Sequence, residues 1–441
     1  LEQAMKPSRI TLSVLLALGA QPVFAADLLD TYRAAQSQDP VFAAARAARD
    51  AGQEKLTQGR ALMLPNASVS ANNTNNDVSI QPFGVNKRYN SHGYTVSLVQ
   101  PLFREQNWAL YTESELQVAQ SEAQFRQAEQ DLVLRSAQAY FDVLIAQDSV
   151  QLAAAQKTAI AQQLEQAKRN FEVGTATITD THEAQARYDL IVAQELAAQS
   201  TLEVKRRALQ QLTNTATGEL APLGKGLKLD PPTPASVDQW VADAQNGNPQ
   251  LAMAKAGAEL ADKEVDRNRG GHLPTIDLVA TYGKNSTGYN SAAGGAATDI
   301  RSKTIGVQLN MPLFQGGATQ SKWREADANR TRANQELENA RRNVELQTRQ
   351  AYLGVVNGIA QVQALQQALK SSESLLEASK LGHEVGVRTN LDVLNAQQQA
   401  YSTRRDLYQA EYNFLMSQLR LKAATGSLTE EDVAKVNGAL H

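Results

Sequence analysis

Cysteine is absent from the 441-residue chain, and only five histidines occur, His92, His182, His272, His383 and His441. The first absence excludes disulfides, thiolate metal sites and a lipidated N-terminal cysteine, so the protein is expected to meet any membrane with its own folded surface. The histidines are too scattered for a metal-ligand spacing. No Ser/His/Asp arrangement and no glycine-rich phosphate loop after a strand is present, so neither enzyme activity nor a cofactor is expected. Charge of one sign is lacking too: 43 Lys and Arg against 46 Asp and Glu leave a formal net charge of −3. Nucleic-acid binders usually carry a basic stripe, so nucleic acid is not an expected partner. Aromatic residues make up 5% of the chain while Ala and Gln recur, which suits long, thin, close-packed helices better than one thick core. After the N-terminus no segment is apolar enough for a transmembrane helix. Any membrane span must be built from strands.

What is present begins with an export signal. Lys6 and Arg9 precede an apolar run at residues 10–20, and Ala25 and Ala26 supply small residues for cleavage, so residues 1–25 are expected to be a signal peptide. The rest repeats itself. Asp39-Pro40-Val41-Phe42 is echoed by Asn248-Pro249-Gln250-Leu251, and Met63-Leu64-Pro65 by His272-Leu273-Pro274, both at an offset of 209. Pro101-Leu102-Phe103 returns as Pro312-Leu313-Phe314 at an offset of 211, and Ala139-Tyr140 as Ala351-Tyr352 at 212. An ordered series of this length implies duplication. The expected organisation is a first repeat at 26–214, a Gly- and Pro-rich linker or equatorial region at 215–235, a second repeat at 236–426 and a C-terminal tail at 427–441.

Each repeat carries a pair of strands. Residues 67–72, 94–98, 276–282 and 304–311 alternate apolar with polar, most cleanly where Ile305, Val307, Leu309 and Met311 share one face. Tilted strands of about ten residues with this period cross a bilayer. The Asn- and Gly-rich stretches 73–93 and 283–303 between them are expected to be extracellular loops. So few strands leave two open edges, which lipid does not tolerate, and the chain must oligomerise to close its barrel.

Two long helices are expected, from about Arg104 to Phe171 and from about Gly317 to Glu384, each on the order of 100 Å long at 1.5 Å per residue. They end in near-identical turns, Val173-Gly174-Thr175 and Val385-Gly386-Val387, 212 residues apart. A glycine at positive φ followed by Thr-x-x-Asp reverses the chain and caps the returning helix. Capping explains the glycine and the threonine, but does not require Arg388 or the acids.

The duplicated Pro-Leu-Phe junctions, these turns, the stretch from Val385 to Ala396 (VGVRTNLDVLNA), the segment EYNFLMSQL from Glu411, and the tail GSLTEED from Gly426 together resemble the TolC family of outer-membrane efflux and secretion channels. The resemblance runs from about Asp27 to the end. It implies a membrane α+β fold in which three chains make a twelve-stranded outer-membrane barrel that continues into a twelve-helix periplasmic α-barrel. It implies a passive conduit, a homotrimer set in outer-membrane lipid that docks on a periplasmic adaptor and an inner-membrane RND or ABC transporter. It also implies a periplasmic gate at Thr179, Asp180, His383 and Arg388, with His383 at the family's tyrosine place, and a pore constriction at Asp392 and Asn395, with Asn395 where the family has a second aspartate. The turns Val173, Gly174, Thr175, Val385, Gly386 and Val387 would be the adaptor-docking tips. Two alternatives from other classes, a periplasmic adaptor and a structural coiled-coil rod, lack the amphipathic strand pairs.

Overall fold

The computed structural model describes residues 27–80, 84–215, 218–224, 226–290 and 293–440, and the expected signal peptide lies outside them. One element order occurs twice. The first pass is α1 (Leu28–Gln38), α2 (Pro40–Ala61), β1 (Asn66–Ile80), β2 (Val85–Phe103), α3 (Glu105–Glu172) and α4 (Ile178–Thr213). The second is α5 (Val237–Gly247), α6 (Pro249–Gly270), β3 (Thr275–Thr287), β4 (Thr298–Asn310), α7 (Ala318–Glu384) and α8 (Asn390–Ala424), followed by a short α9 (Glu430–Asn437). The echoes noted in the sequence have the same physical job in both passes. Asp39 and Asn248 each accept hydrogen bonds from the two backbone amides just inside the next helix, ahead of a proline at its first position.

The strands form one antiparallel sheet in the order β1-β2-β3-β4. Large apolar side chains stand out of it, with Val69 73%, Ile305 77% and Leu309 63% exposed, as a lipid-facing wall requires. The expected loops at 73–93 and 283–303 are a correction, because most of each is strand: Asn73 pairs with His92, Asp77 with Arg88, and Lys284 with Arg301. Here the apolar alternation fades while backbone pairing continues. Polar side chains support the ladder instead, as where Asn90 donates to Asn73 and Asn75 and Arg88 pairs with Asp77 at 2.7 Å. Sequence periodicity reports a lipid face, and it goes silent where both faces are wet.

At the far side of the sheet α3 and α7 run for 68 and 67 residues, on the order of 100 Å each. Among the described residues no helix is long and apolar enough to cross a membrane. The main core wraps the middle of α3, where Leu132, Tyr140, Phe141 and Val143 are fully buried against Leu28 of α1 and Phe414 and Leu419 of α8. Truncating Phe141 there would cost about 3–5 kcal/mol. The linker is a strap rather than a tether. Leu220 and Ala221 are buried in this core, Tyr140 donates to the Ala221 carbonyl at 2.9 Å, and Trp240 donates to Pro234 at 2.8 Å.

Candidate functional site at the helical tip

Both helical hairpins reverse on one backbone design. Gly174 has φ 78° and Gly386 φ 79°, and a side chain added at either would meet nothing within 4 Å, so conformation alone selects glycine. Two amides then fold back on a single carbonyl: Thr175 and Ala176 on Asn170 at 2.8 and 3.2 Å, Val387 and Arg388 on Gly382 at 2.8 and 3.1 Å. A capping box follows each. Asp180 accepts from the Thr177 amide at 2.8 Å and hydroxyl at 2.7 Å, and Asp392 from the Thr389 amide at 2.9 Å and hydroxyl at 2.8 Å. The expectation that capping does not require the acids is therefore corrected, since both carboxylates close their own turn. Their pKa values are lowered accordingly, that of Asp180 chiefly by the Thr177 hydroxyl, with His383 adding a smaller pull, and that of Asp392 by the Thr389 amide, with Arg388 adding to it.

The two basic groups of the expected gate, His383 and Arg388, belong to the second turn. Arg388 Nη1 lies 4.0 Å from Asp392 Oδ1, one helical turn along the same strand of chain, so within one copy Arg388 is placed with Asp392 and not with Asp180. Asp180 is instead the acid that feels His383. Thr179 is exposed beside it on the first turn of α4. Val173, Val385 and Val387 are 73%, 67% and 75% exposed, leaving an apolar crown around the glycines, with Thr175 exposed between them.

Two residues escaped the sequence reading. The stem of Arg388 lies across Gly382, where an added Cβ would come within 2.7 Å of Arg388 Cγ. The repeat offers a signal for this, because the first turn has Asn170 and Ala176 at the corresponding positions and needs no such space. The other is Arg187 of α4, which donates to Asn395 Oδ1 at 3.0 Å and to Gln398 Oε1 at 2.6 Å on α8. Nothing local marks a partner 208 residues away. Among the described residues no group of acids and histidines is placed to hold a metal ion.

A fold of two repeated strand pairs running into helical hairpins can be set against known proteins. The family model described as outer membrane efflux protein matches residues 31–215 and 240–427. The chain is a member of the TolC family. It is 33% identical over 424 residues to outer membrane protein TolC of Escherichia coli, covering 94% of this chain and 85% of that protein. It is 34% identical over 429 residues to the alkaline protease secretion protein AprF of Pseudomonas aeruginosa, covering 96% and 89%. Among solved structures, the outer membrane protein VceC of Vibrio cholerae superposes with a TM-score of 0.77 at 18% identity over 90% of this chain and 96% of that one. A membrane protein from Pseudomonas aeruginosa gives 0.80 at 19% identity over 92% and 91%. These likenesses to TolC family channels account for a small sheet joined to very long helices.

Proposed function

We propose that this protein is an outer-membrane channel whose three copies close a barrel of strands and carry it through the periplasm as a tunnel of helices. It conducts passively and catalyses nothing. The observation that carries the reading is a sheet with an apolar outer face and two open edges, joined directly to helical hairpins on the order of 100 Å long. Relatives named for efflux and for protease secretion support drugs and secreted polypeptides as cargo, delivered by an RND or ABC transporter through a periplasmic adaptor. The exposed valine crown at residues 173, 385 and 387 suits adaptor docking, since apolar anchors flanked by polar surface are what an interface core needs.

The gate reading assigns closure to the charges of the second turn. Arg388 reaches Asp180 and Thr179 of a neighbouring copy when the tube is shut, and His383 adds an attraction to Asp180. Asp392 and Asn395 line the narrowing just above, where Arg187 brings a positive charge to the Asn395 level. Outer-membrane extracts run on native gels and reconstituted in planar bilayers test the proposal. A detergent-stable trimer that conducts ions is expected, and a stable monomer that conducts none would end it.

A further inference from the structure

Alternation fixes the face on which each charge of a strand falls. In β4 the lipid-facing side chains Leu309, Val307 and Ile305 are followed, two residues at a time, by Lys303, Arg301 and Asp299. The ladder sets Ala280 opposite Ile305, Tyr282 opposite Lys303, Lys284 opposite Arg301 and Ser286 opposite Asp299, so the same face of β3 reads Ile276, Leu278, Ala280, Tyr282, Lys284. Every charged residue of the upper β3–β4 hairpin therefore stands on the outer wall. The pore side carries Thr281, Gly283, Asn285, Ser302 and Thr304, with no charge among them.

Three cations are crowded on that wall. Lys284 and Arg301 are direct cross-strand neighbours, roughly 5 Å apart at their Cβ atoms, and like charges so placed repel unless a counter-charge lies between them. The single acid on this face, Asp299, is taken by Lys284 at 2.9 Å and by the Ser286 hydroxyl. Lys303 rests over the Tyr282 ring, 5.6 Å from its centre, and among the described residues the Arg301 guanidinium has no partner. Next to them on the same face Tyr94 and Tyr282 stand with ring centres 6.4 Å apart, and aromatic side chains of this kind mark the edge of the hydrocarbon layer. Cations one step beyond that edge stand at the level of lipid phosphates.

We propose that Lys284, Arg301 and Lys303 are a phosphate clamp on the lipid-facing wall, that its ligand is an outer-leaflet lipid bearing a phosphate monoester, and that the second repeat alone carries it. Three cations less one acid leave a surplus of two positive charges, which a phosphate monoester of about −1.5 to −2 matches and a zwitterionic phospholipid, with an ammonium of its own, does not. The guanidinium fork and two ammonium groups supply the donors, and Ile305 and Val307 meet the acyl chains. At the offsets of 209 and 211 the first hairpin has Asn75, Asn90 and His92 instead, and its Arg88 is already paired with Asp77. A closed trimer then has three clamps, alternating with three hairpins that lack one.

The clamp rests on the reading of this face as the lipid wall, and two measurements keep them apart. Full-length protein purified from outer membranes and stripped of lipid is titrated with diphosphoryl lipid A, with phosphatidylethanolamine and with inorganic phosphate, and bound lipid is counted by native mass spectrometry. Up to three lipid A molecules per trimer are expected, held about tenfold more tightly than phosphatidylethanolamine and not displaced by inorganic phosphate. Lys284→Asn, Arg301→Asn and Lys303→His together install the residues of the first repeat, and should lower lipid A affinity about tenfold while leaving phosphatidylethanolamine unaffected. Asp77→Asn with Arg88→Asn should change neither. Reversal potential under a salt gradient should be the same for the triple variant and the unaltered protein. Equal lipid A affinity in those two proteins, or displacement by inorganic phosphate, would overturn the clamp and leave the channel reading standing. A shifted reversal potential would place the cations in the pore and overturn the clamp together with the lipid-facing reading of this wall.

Discussion

The two tip turns share a backbone and differ in what they carry on it. Each has a glycine near φ 78° and a Thr-Asp capping box, but Phe171 and Ala176 of the first turn become His383 and Arg388 in the second. Asn170 becomes Gly382, which is the space Arg388 occupies. The duplication kept everything that makes the chain reverse and changed the residues that can attract a neighbour. What the repeats share is therefore fold, and where they part is where function is to be sought.

The largest expected effect breaks the shared half of that comparison. Gly386→Val forces a β-branched residue to positive φ, a strain of about 1–3 kcal/mol in every copy. Export is expected to fall more than tenfold while the trimer and its membrane insertion stay intact, as measured by substrate release and native gels. Gly174→Val should behave alike if both crowns dock the adaptor. Loss of assembly in either would make the turn a folding element only.

The next effect tests the half that differs. Arg388→Ser with His383→Phe should raise single-channel conductance several-fold, since exposed pairs worth about 1 kcal/mol apiece act together in one ring. Gly382→Ala should shift conductance in the same direction, because its Cβ displaces the Arg388 stem, whereas Asn170→Ala in the first turn should do nothing. Unchanged conductance in the double variant would give closure to packing instead of charge.

The sequence exposed the duplication, the long helices and the tip glycines because each leaves a local or strictly spaced mark. Strand length was hidden where Asn and Ser face water on both sides, as from Asn73 upward, since no lipid remained to impose alternation. The capping bonds of Asp180 and Asp392 were not legible because a capping acid and a pore acid are the same residue type, and only the Thr177 and Thr389 contacts reveal the first part. Arg187 was invisible for a simpler reason: its partners are distant in the chain.

Selectivity sharpens the comparison further. Asp392→Ala and Asp180→Ala each remove one of the two equivalent capping boxes and should each lower stability. Only Asp392→Ala should also lower cation preference, read as a shift in reversal potential under a salt gradient. Arg187→Met should raise that preference, because it takes a positive charge from the level of Asn395. Equal selectivity in all three would place the filter elsewhere in the tunnel.

The smallest effect lies in the helices, at another position where the repeats part. Glu411 of α8 has Gln199 as its counterpart in α4. Burial pushes the Glu411 carboxyl up to about 6, against a hydrogen bond from Gln366 and with the charge of Asp148 adding to the rise. A carboxyl whose folded pKa lies above its unfolded value of about 4.3 stabilises the fold most when protonated, and that contribution is lost as pH rises through about 6. The trimer should therefore melt higher at pH 5 than at pH 7.5. Because part of the side chain meets solvent, the share due to Glu411 is about one to two degrees. Glu411→Gln makes the second repeat match the first here, and should raise the melting temperature at pH 7.5 by that amount while shrinking the difference between the two pH values. If the difference persists undiminished, Glu411 is not the group that sets it, and the neighbouring Asp148, whose carboxyl burial also raises and which accepts from Tyr412 at 2.9 Å, is the next to replace.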